Sequence, residues 1–194
     1  MGCGKSSVGR RLSELLCCPF MDLDDVIVER EGRSIPEIFT TEGEPAFRQM
    51  ELEALKEMVP KYSRGPLPLR GPLPLAGGGK MPLPYNRHTS MEAQSPTLIL
   101  ALGGGTVMTP ECAEIVKELT CCIYLKASIE TLMEHLSGEA DGRQMLNGET
   151  LYERITVLMA QRSETYEKTA HVIIDTDGKS IEAVASEIVS MLNI

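Results

Sequence analysis

No apolar run in the 194-residue chain approaches the ~20 residues that span a bilayer, although 42% of its residues are hydrophobic. No membrane association is therefore read from it. The first residues are rich in glycine and serine and have no apolar stretch of the kind a secretory leader requires, so none is read. Positive charge is scarce, with 19 Lys and Arg against 28 Asp and Glu and a formal charge of −9. That balance argues against a nucleic-acid partner. It also means that an anionic ligand has to be held by local positive charge, which makes individual arginines informative. The six cysteines show no C-x-x-C spacing, so neither a metal site nor a disulfide framework is indicated. The adjacent pairs Cys17-Cys18 and Cys121-Cys122 read as small apolar strand residues in a reduced, cytoplasmic setting. What remains is a chain of the length of one domain, 1–194, with a real core.

The positive signals alternate between two periods. Val8, Leu12, Leu15 and Leu16 predict a helix over 5–16, followed by a short strand over 18–22. Short helices are read over 24–31 and 34–39, the second with Ser34 near its N-cap and Pro36 in its first turn. A longer helix follows over 43–58. Residues 98–102 are an uninterrupted apolar strand, and Thr109-Pro110 opens another helix. Residues 122–125 form the next strand, and Ser128 caps the helix after it. Residues 137–149 read as a polar loop, 150–168 as a helix, and 171–174 as a final strand. Ser180 then caps a helix with Ile181, Val184, Ile188, Val189 and Leu192 on one face. Apolar strands alternating with amphipathic helices predict an α/β fold, a parallel sheet covered on both faces, with ligands at the carboxyl ends of its strands.

Residues 59–97 break the pattern. They hold a tandem repeat, Arg64-Gly65-Pro66-Leu67-Pro68-Leu69 and Arg70-Gly71-Pro72-Leu73-Pro74-Leu75, then Gly77-Gly78-Gly79-Lys80. Alternating prolines remove backbone donors and favour extended conformations. The segment reads as a disordered, low-complexity surface insertion.

Four constellations carry chemistry. Gly2, Cys3, Gly4, Lys5, Ser6 and Ser7 form the back half of a phosphate loop of the form G-x-x-x-x-G-K-[ST]. Glycines bring backbone N–H groups close to phosphate oxygens, and a helix starting near Lys5 points its positive end at them. Asp22-Leu23-Asp24 ends a strand, and alternation would place both carboxylates on one side, one to organise Mg²⁺ and one to accept a hydroxyl proton. On its own the pair reads equally as a cap on the following helix. Arg48 and Glu51 lie three apart on one helix face, either as a surface ion pair or with Glu51 orienting Arg48 to grip a carboxylate. Gly103, Gly104 and Gly105 follow a buried strand and let a substrate lie against bare backbone. Arg143 in the polar loop and Arg162 late in a helix are candidates to meet a transferring phosphoryl group.

In this order the segments resemble the shikimate kinase family. Its members carry a phosphate loop, a D-x-D pair, G-E-x-x-F-R-x-x-E, G-G-G, a lid with R-P-L, and R-x-P-x-Y. Here these stand as residues 1–6, Asp22-Leu23-Asp24, residues 43–51, the glycine turn 103–105, Arg143-Gln144-Met145 and Arg162-Ser163-Glu164-Thr165-Tyr166. The resemblance implies a three-layer α/β/α P-loop kinase fold with a five-stranded parallel sheet. It implies phosphorylation of the 3-hydroxyl of shikimate by ATP with Mg²⁺, in aromatic amino-acid biosynthesis, by a monomer. It assigns Gly2 to Ser7 to the ATP phosphates, Ser6 and Asp22 to the metal, Lys5, Asp24 and Arg143 to catalysis, and Lys179 to the nucleotide. Asp24, Arg48, Gly103, Gly104, Gly105 and Arg162 are assigned to shikimate. The family has a central strand before its phosphate loop and this sequence shows none. The expectation is a start that lies too late, with poor folding or weak ATP binding. Another small-molecule kinase such as a gluconate kinase, or an inactive remnant that binds partners through its proline-rich segment, are the rival readings.

Overall fold

The computed structural model describes residues 2–62, 98–139 and 151–192, with the side chains of 137–139 excepted. The first helix, α1 (Lys5–Leu16), buries Val8, Leu12 and Leu16, the one-in-four stripe that predicted it. It ends at Cys17, which takes a left-handed conformation at φ 50° and donates its N–H to Glu14. Cys17 and Cys18 therefore serve as a helix stop and a linker rather than as strand residues. Cys121 and Cys122 likewise precede a strand, and all six cysteines are unpaired thiols.

Strand β1 (Phe20–Asp22) runs directly into α2 (Leu23–Glu31). The strand stops because the Asp22 carboxylate accepts the Asp24 N–H at 3.1 Å and caps the helix. Asp24 thus sits in the first turn of α2 and not on the strand. Helix α3 (Ile35–Thr41) starts at Ser34, whose N–H and hydroxyl both donate to Glu37, with Pro36 in the first turn.

Helix α4 (Gly43–Tyr62) runs four residues further than its sequence pattern indicates, through Pro60. A mid-helix proline costs about 3 kcal/mol, but Phe47, Leu52, Leu55, Met58 and Val59 are all buried on this helix. At roughly 1.5–3 kcal/mol per buried side chain, packing outweighs the loss in a terminal turn. Residues 59–62 are consequently helix rather than insertion; the remainder of the proline-rich segment lies outside the described residues.

Strand β2 (Ile99–Ala101) leads through the glycines into a 3₁₀ turn, Thr106–Met108, and α5 (Pro110–Leu119). Strand β3 (Ile123–Lys126) precedes α6 (Ile129–Glu139), which Ser128 caps through the Thr131 N–H. Helix α6 extends into the region read as a loop, and residues 140–150 are not described. Helix α7 (Leu151–Thr169), β4 (Val172–Asp175) and α8 (Ile181–Leu192), capped by Ser180 through the Ala183 N–H, complete the chain.

The four described strands form two parallel pairs. Phe20, Met21 and Asp22 pair with Ile99, Leu100 and Ala101, and Ile123 to Lys126 pair with Val172 to Asp175. The fifth strand implied by the resemblance is not among the described residues. On one face α1 and α8 pack with Leu125 and Ile174; on the other α2, α4 and α5 enclose Leu23, Ile27, Ile38, Leu55 and Val116. The architecture is a parallel α/β layer structure. Asp22 and the glycine turn 103–105 lie at the carboxyl ends of β1 and β2, and Ala127 and Thr176 at those of β3 and β4.

Candidate active site

The phosphate loop and the start of α1 form the floor of the site. Gly2 and Gly4 have φ of 69° and 74°. A side chain in that conformation costs about 1–2 kcal/mol. A Cβ at Gly4 would touch nothing within 4 Å, so its conformation and not crowding selects glycine. Gly4 is the N-cap of α1 and has no side chain to cap it, which leaves first-turn N–H groups open to anionic oxygens. Lys5 Nζ lies 3.8 Å from Cys3 Sγ, and Ser7 is exposed in the first turn. His135 of α6 meets the Gly2 carbonyl, with Nδ1 at 2.6 Å from the oxygen.

Asp22 links this floor to the next layer. Its Oδ2 accepts from Ser6 Oγ at 2.8 Å while its Oδ1 caps α2. The carboxylate serves as a cap and faces the phosphate loop at once. Asp24, in the first turn of α2, has Oδ1 buried and without a hydrogen-bond partner among the described residues. Burial pushes its pKa above the usual carboxylate range, the Asp22 and Glu51 charges push it further, and Lys5 opposes them.

Arg48 and Glu51 do share a face of α4, and they are no surface pair. Glu51 is 0% exposed, and its Oε2 accepts from Arg48 Nη1 at 2.6 Å. Its other oxygen, Oε1, accepts the hydroxyl of Thr106. Glu44 takes the opposite edge of the guanidinium, with Oε1 at 2.7 Å from Nη2 and 3.2 Å from Nε. Burial works against the Arg48 charge, but the bonds to Glu51 and Glu44 win and raise its pKa further.

The glycine turn is where these parts meet. A Cβ on Gly105 would lie 2.2 Å from Arg48 Nη2, so only glycine admits the guanidinium so near the backbone. A Cβ on Gly103 would lie 3.0 Å from both Asp24 Oδ1 and Glu51 Oε1 and 3.1 Å from Thr106 Oγ1, which places all three groups around one point. The Gly104 carbonyl accepts from Arg162 Nη1 at 3.1 Å and from the Tyr166 hydroxyl, bringing α7 onto the same turn. Tyr166 also packs on Tyr124, ring centres 5.2 Å apart. A cavity of about 50 Å³ bounded by Cys3, Tyr124, Leu132, Met159, Arg162 and Tyr166 separates the phosphate loop from α7.

Of the residues singled out by sequence, the structure brings Ser6 to Asp22, and Asp24, Arg48 and Arg162 to the glycine turn, with Lys5 close enough to Asp24 to act on its charge. Lys179, in the loop between β4 and α8, is held by Glu187 at 2.7 Å. Arg143 lies outside the described residues. Thr106 and Glu44 as partners of the arginine and its clamp were not visible in the spacing; a hydroxyl directly after three glycines is the one signal that pointed toward Thr106. The oxygen atoms of Ser6 and Asp22 beside an uncapped helix N-terminus are the donor set of a hard divalent cation bound with phosphates, and the residues present fit Mg²⁺.

An uncapped helix start, a carboxylate–hydroxyl pair and a half-buried arginine together have the form of a phosphate-loop kinase site. A family model described as shikimate kinase matches residues 1–64 and 87–193, and the chain belongs to the shikimate kinase family. It is 36% identical over 192 residues to a shikimate kinase of Thermus thermophilus, covering 99% of this chain and 85% of the relative. It is 30% identical to a shikimate kinase of Enterococcus faecalis, covering 99% and 94% respectively. In structure it is similar to the shikimate kinase of Acinetobacter baumannii solved in complex with shikimate, with a TM-score of 0.74, 26% identity, and 100% and 88% of the two chains covered.

Proposed function

We propose that this site transfers the terminal phosphoryl group of ATP to the 3-hydroxyl of shikimate, giving shikimate 3-phosphate and ADP, as a step of aromatic amino-acid biosynthesis. The observation that supports it most is the convergence of Asp24, Arg48 and Arg162 on the glycine turn 103–105, beside the phosphate loop.

Backbone N–H groups of Gly2, Gly4 and the first turn of α1 hold phosphate oxygens, and Lys5 supplies positive charge toward the terminal phosphates. Ser6 and Asp22 hold Mg²⁺, which when bound neutralises phosphate charge. Arg48 presents its guanidinium to the shikimate carboxylate from a seat fixed by Glu51. Arg162 shares that carboxylate, and Gly103, Gly104 and Gly105 line the ring with bare backbone. Asp24 has a buried, unpartnered oxygen and a raised pKa, the properties of a base that takes the 3-hydroxyl proton. Arg143, by the family resemblance, reaches ATP from the lid, and Lys179 belongs to the loop beside the nucleotide. The protein acts as a monomer in the cytoplasm, where its six free thiols remain reduced.

Incubation with ATP, Mg²⁺ and shikimate followed by phosphorus NMR is the test. A new monoester resonance that couples to the proton on carbon 3 is expected. Phosphorylation at another hydroxyl, or none, would overturn the assignment.

A further inference from the structure

We propose that Thr106 is a positioning residue for the acceptor substrate, acting through Glu51 on Arg48; this rests on the reading of the site as that of a shikimate kinase. Glu51 and Thr106 are both 0% exposed. A buried carboxylate has to have its oxygens satisfied, and the two of Glu51 are divided between two partners. Oε2 belongs to Arg48 and Oε1 to the Thr106 hydroxyl. The Thr106 backbone N–H in turn donates to the Gly103 carbonyl at 3.2 Å, so the hydroxyl is anchored to the glycine turn itself.

The chain of contacts runs from the turn that carries substrate, through Thr106 and Glu51, to the arginine that grips it. Arg48 has a competing partner on its other edge. Glu44 is 60% exposed to solvent, while Glu51 is fully buried. Thr106 holds Glu51 in one orientation, and Glu51 then holds the guanidinium over Gly105 rather than letting it follow Glu44 outward.

The experiment compares T106V, which keeps the shape and removes the hydroxyl, with T106S, which restores it, and with T106A as a second hydroxyl-free variant. KM for shikimate and KM for ATP are measured for each, alongside E51Q and E51Q/T106V. A positioning role predicts a rise of about ten- to a hundredfold in shikimate KM for T106V and T106A, an ATP KM near that of the unmodified protein, and recovery in T106S. In the E51Q background the valine substitution adds little further loss, because the relay is already cut. Equal rises in both KM values, failure of serine to recover, or a fully additive loss in the double variant would overturn the proposal. Should T106V not fold, T106A gives the same split or refutes it. Absence of shikimate-dependent turnover in the unmodified chain overturns the underlying kinase reading instead, and the role of Thr106 with it.

Discussion

Arg48 carries more of the account than any other side chain, because Glu51 and Glu44 hold its two edges and its charge survives partial burial. R48A should raise shikimate KM by about ten- to a hundredfold, the worth of one charge-assisted bidentate contact, while ATP binding stays nearly intact. Separate titrations with the two substrates check this, and equal loss of both affinities would count against the role. Gly105 gives a sharper test of the same idea. A methyl group there collides with the Arg48 guanidinium rather than with backbone, so G105A should displace the arginine and lose shikimate affinity, with some fall in Tm from the buried Glu51 left without its cation. A large fall in Tm with intact affinity would contradict it. Arg48, Glu51 and the glycines were legible in sequence, because a three-residue helical spacing and a glycine triplet are local patterns. Thr106 was not, since its partner lies 55 residues away along the chain. Asp24 heads the helix read over 24–31, and its place beside Asp22 comes from the helix-capping bond of Asp22 rather than from alternation along a strand.

The elements show where local chemistry decides and where packing does. Caps at Ser34, Ser128 and Ser180 formed as the sequence indicated, since each is a bond within three residues. The extension of α4 through Pro60 was not legible, because it depends on burial against distant residues. Strand pairing was legible only as parallel character, since pairing partners are tertiary. Helix α1 offers a test in which two effects compete. Gly to Ala in a helix interior ordinarily stabilises by about 0.5–1 kcal/mol. At Gly9 the new Cβ would lie 2.5 Å from the Phe20 ring, between α1 and β1. Overpacking of about 1–3 kcal/mol should win, so G9A is expected to lower stability in chemical denaturation. An increase in stability would show that α1 and β1 are not packed as described. Asp177 joins the α6 start to the loop after β4 by accepting the Ser128 N–H at 2.9 Å, and that bond, with help from Thr131, holds its carboxyl below the usual range. Its contribution is therefore present above the unfolded pKa of ~3.9 and lost as pH falls through the lower folded value. D177N should lower Tm at neutral pH, with the difference closing at acid pH; a difference independent of pH would refute the link.

At the scale of the whole molecule, two parallel strand pairs pack with helices, and the candidate site gathers around the glycine turn at the carboxyl end of β2 and the start of α1. In a protein of formal charge −9, Lys5, Arg48 and Arg162 supply positive charge around one turn and one helix start, as the proposed recognition of two anionic substrates requires. The family match passes over residues 65–86, so replacing them with a short Gly/Ser linker should leave shikimate-dependent turnover essentially unchanged. Loss of turnover would assign that segment a part in the enzyme. The central claim is tested most directly by a coupled assay of ADP release from ATP and Mg²⁺, run with and without shikimate. The account predicts ADP release that saturates with shikimate and falls to background without it. ADP release indifferent to shikimate, or supported by gluconate in its place, would contradict it.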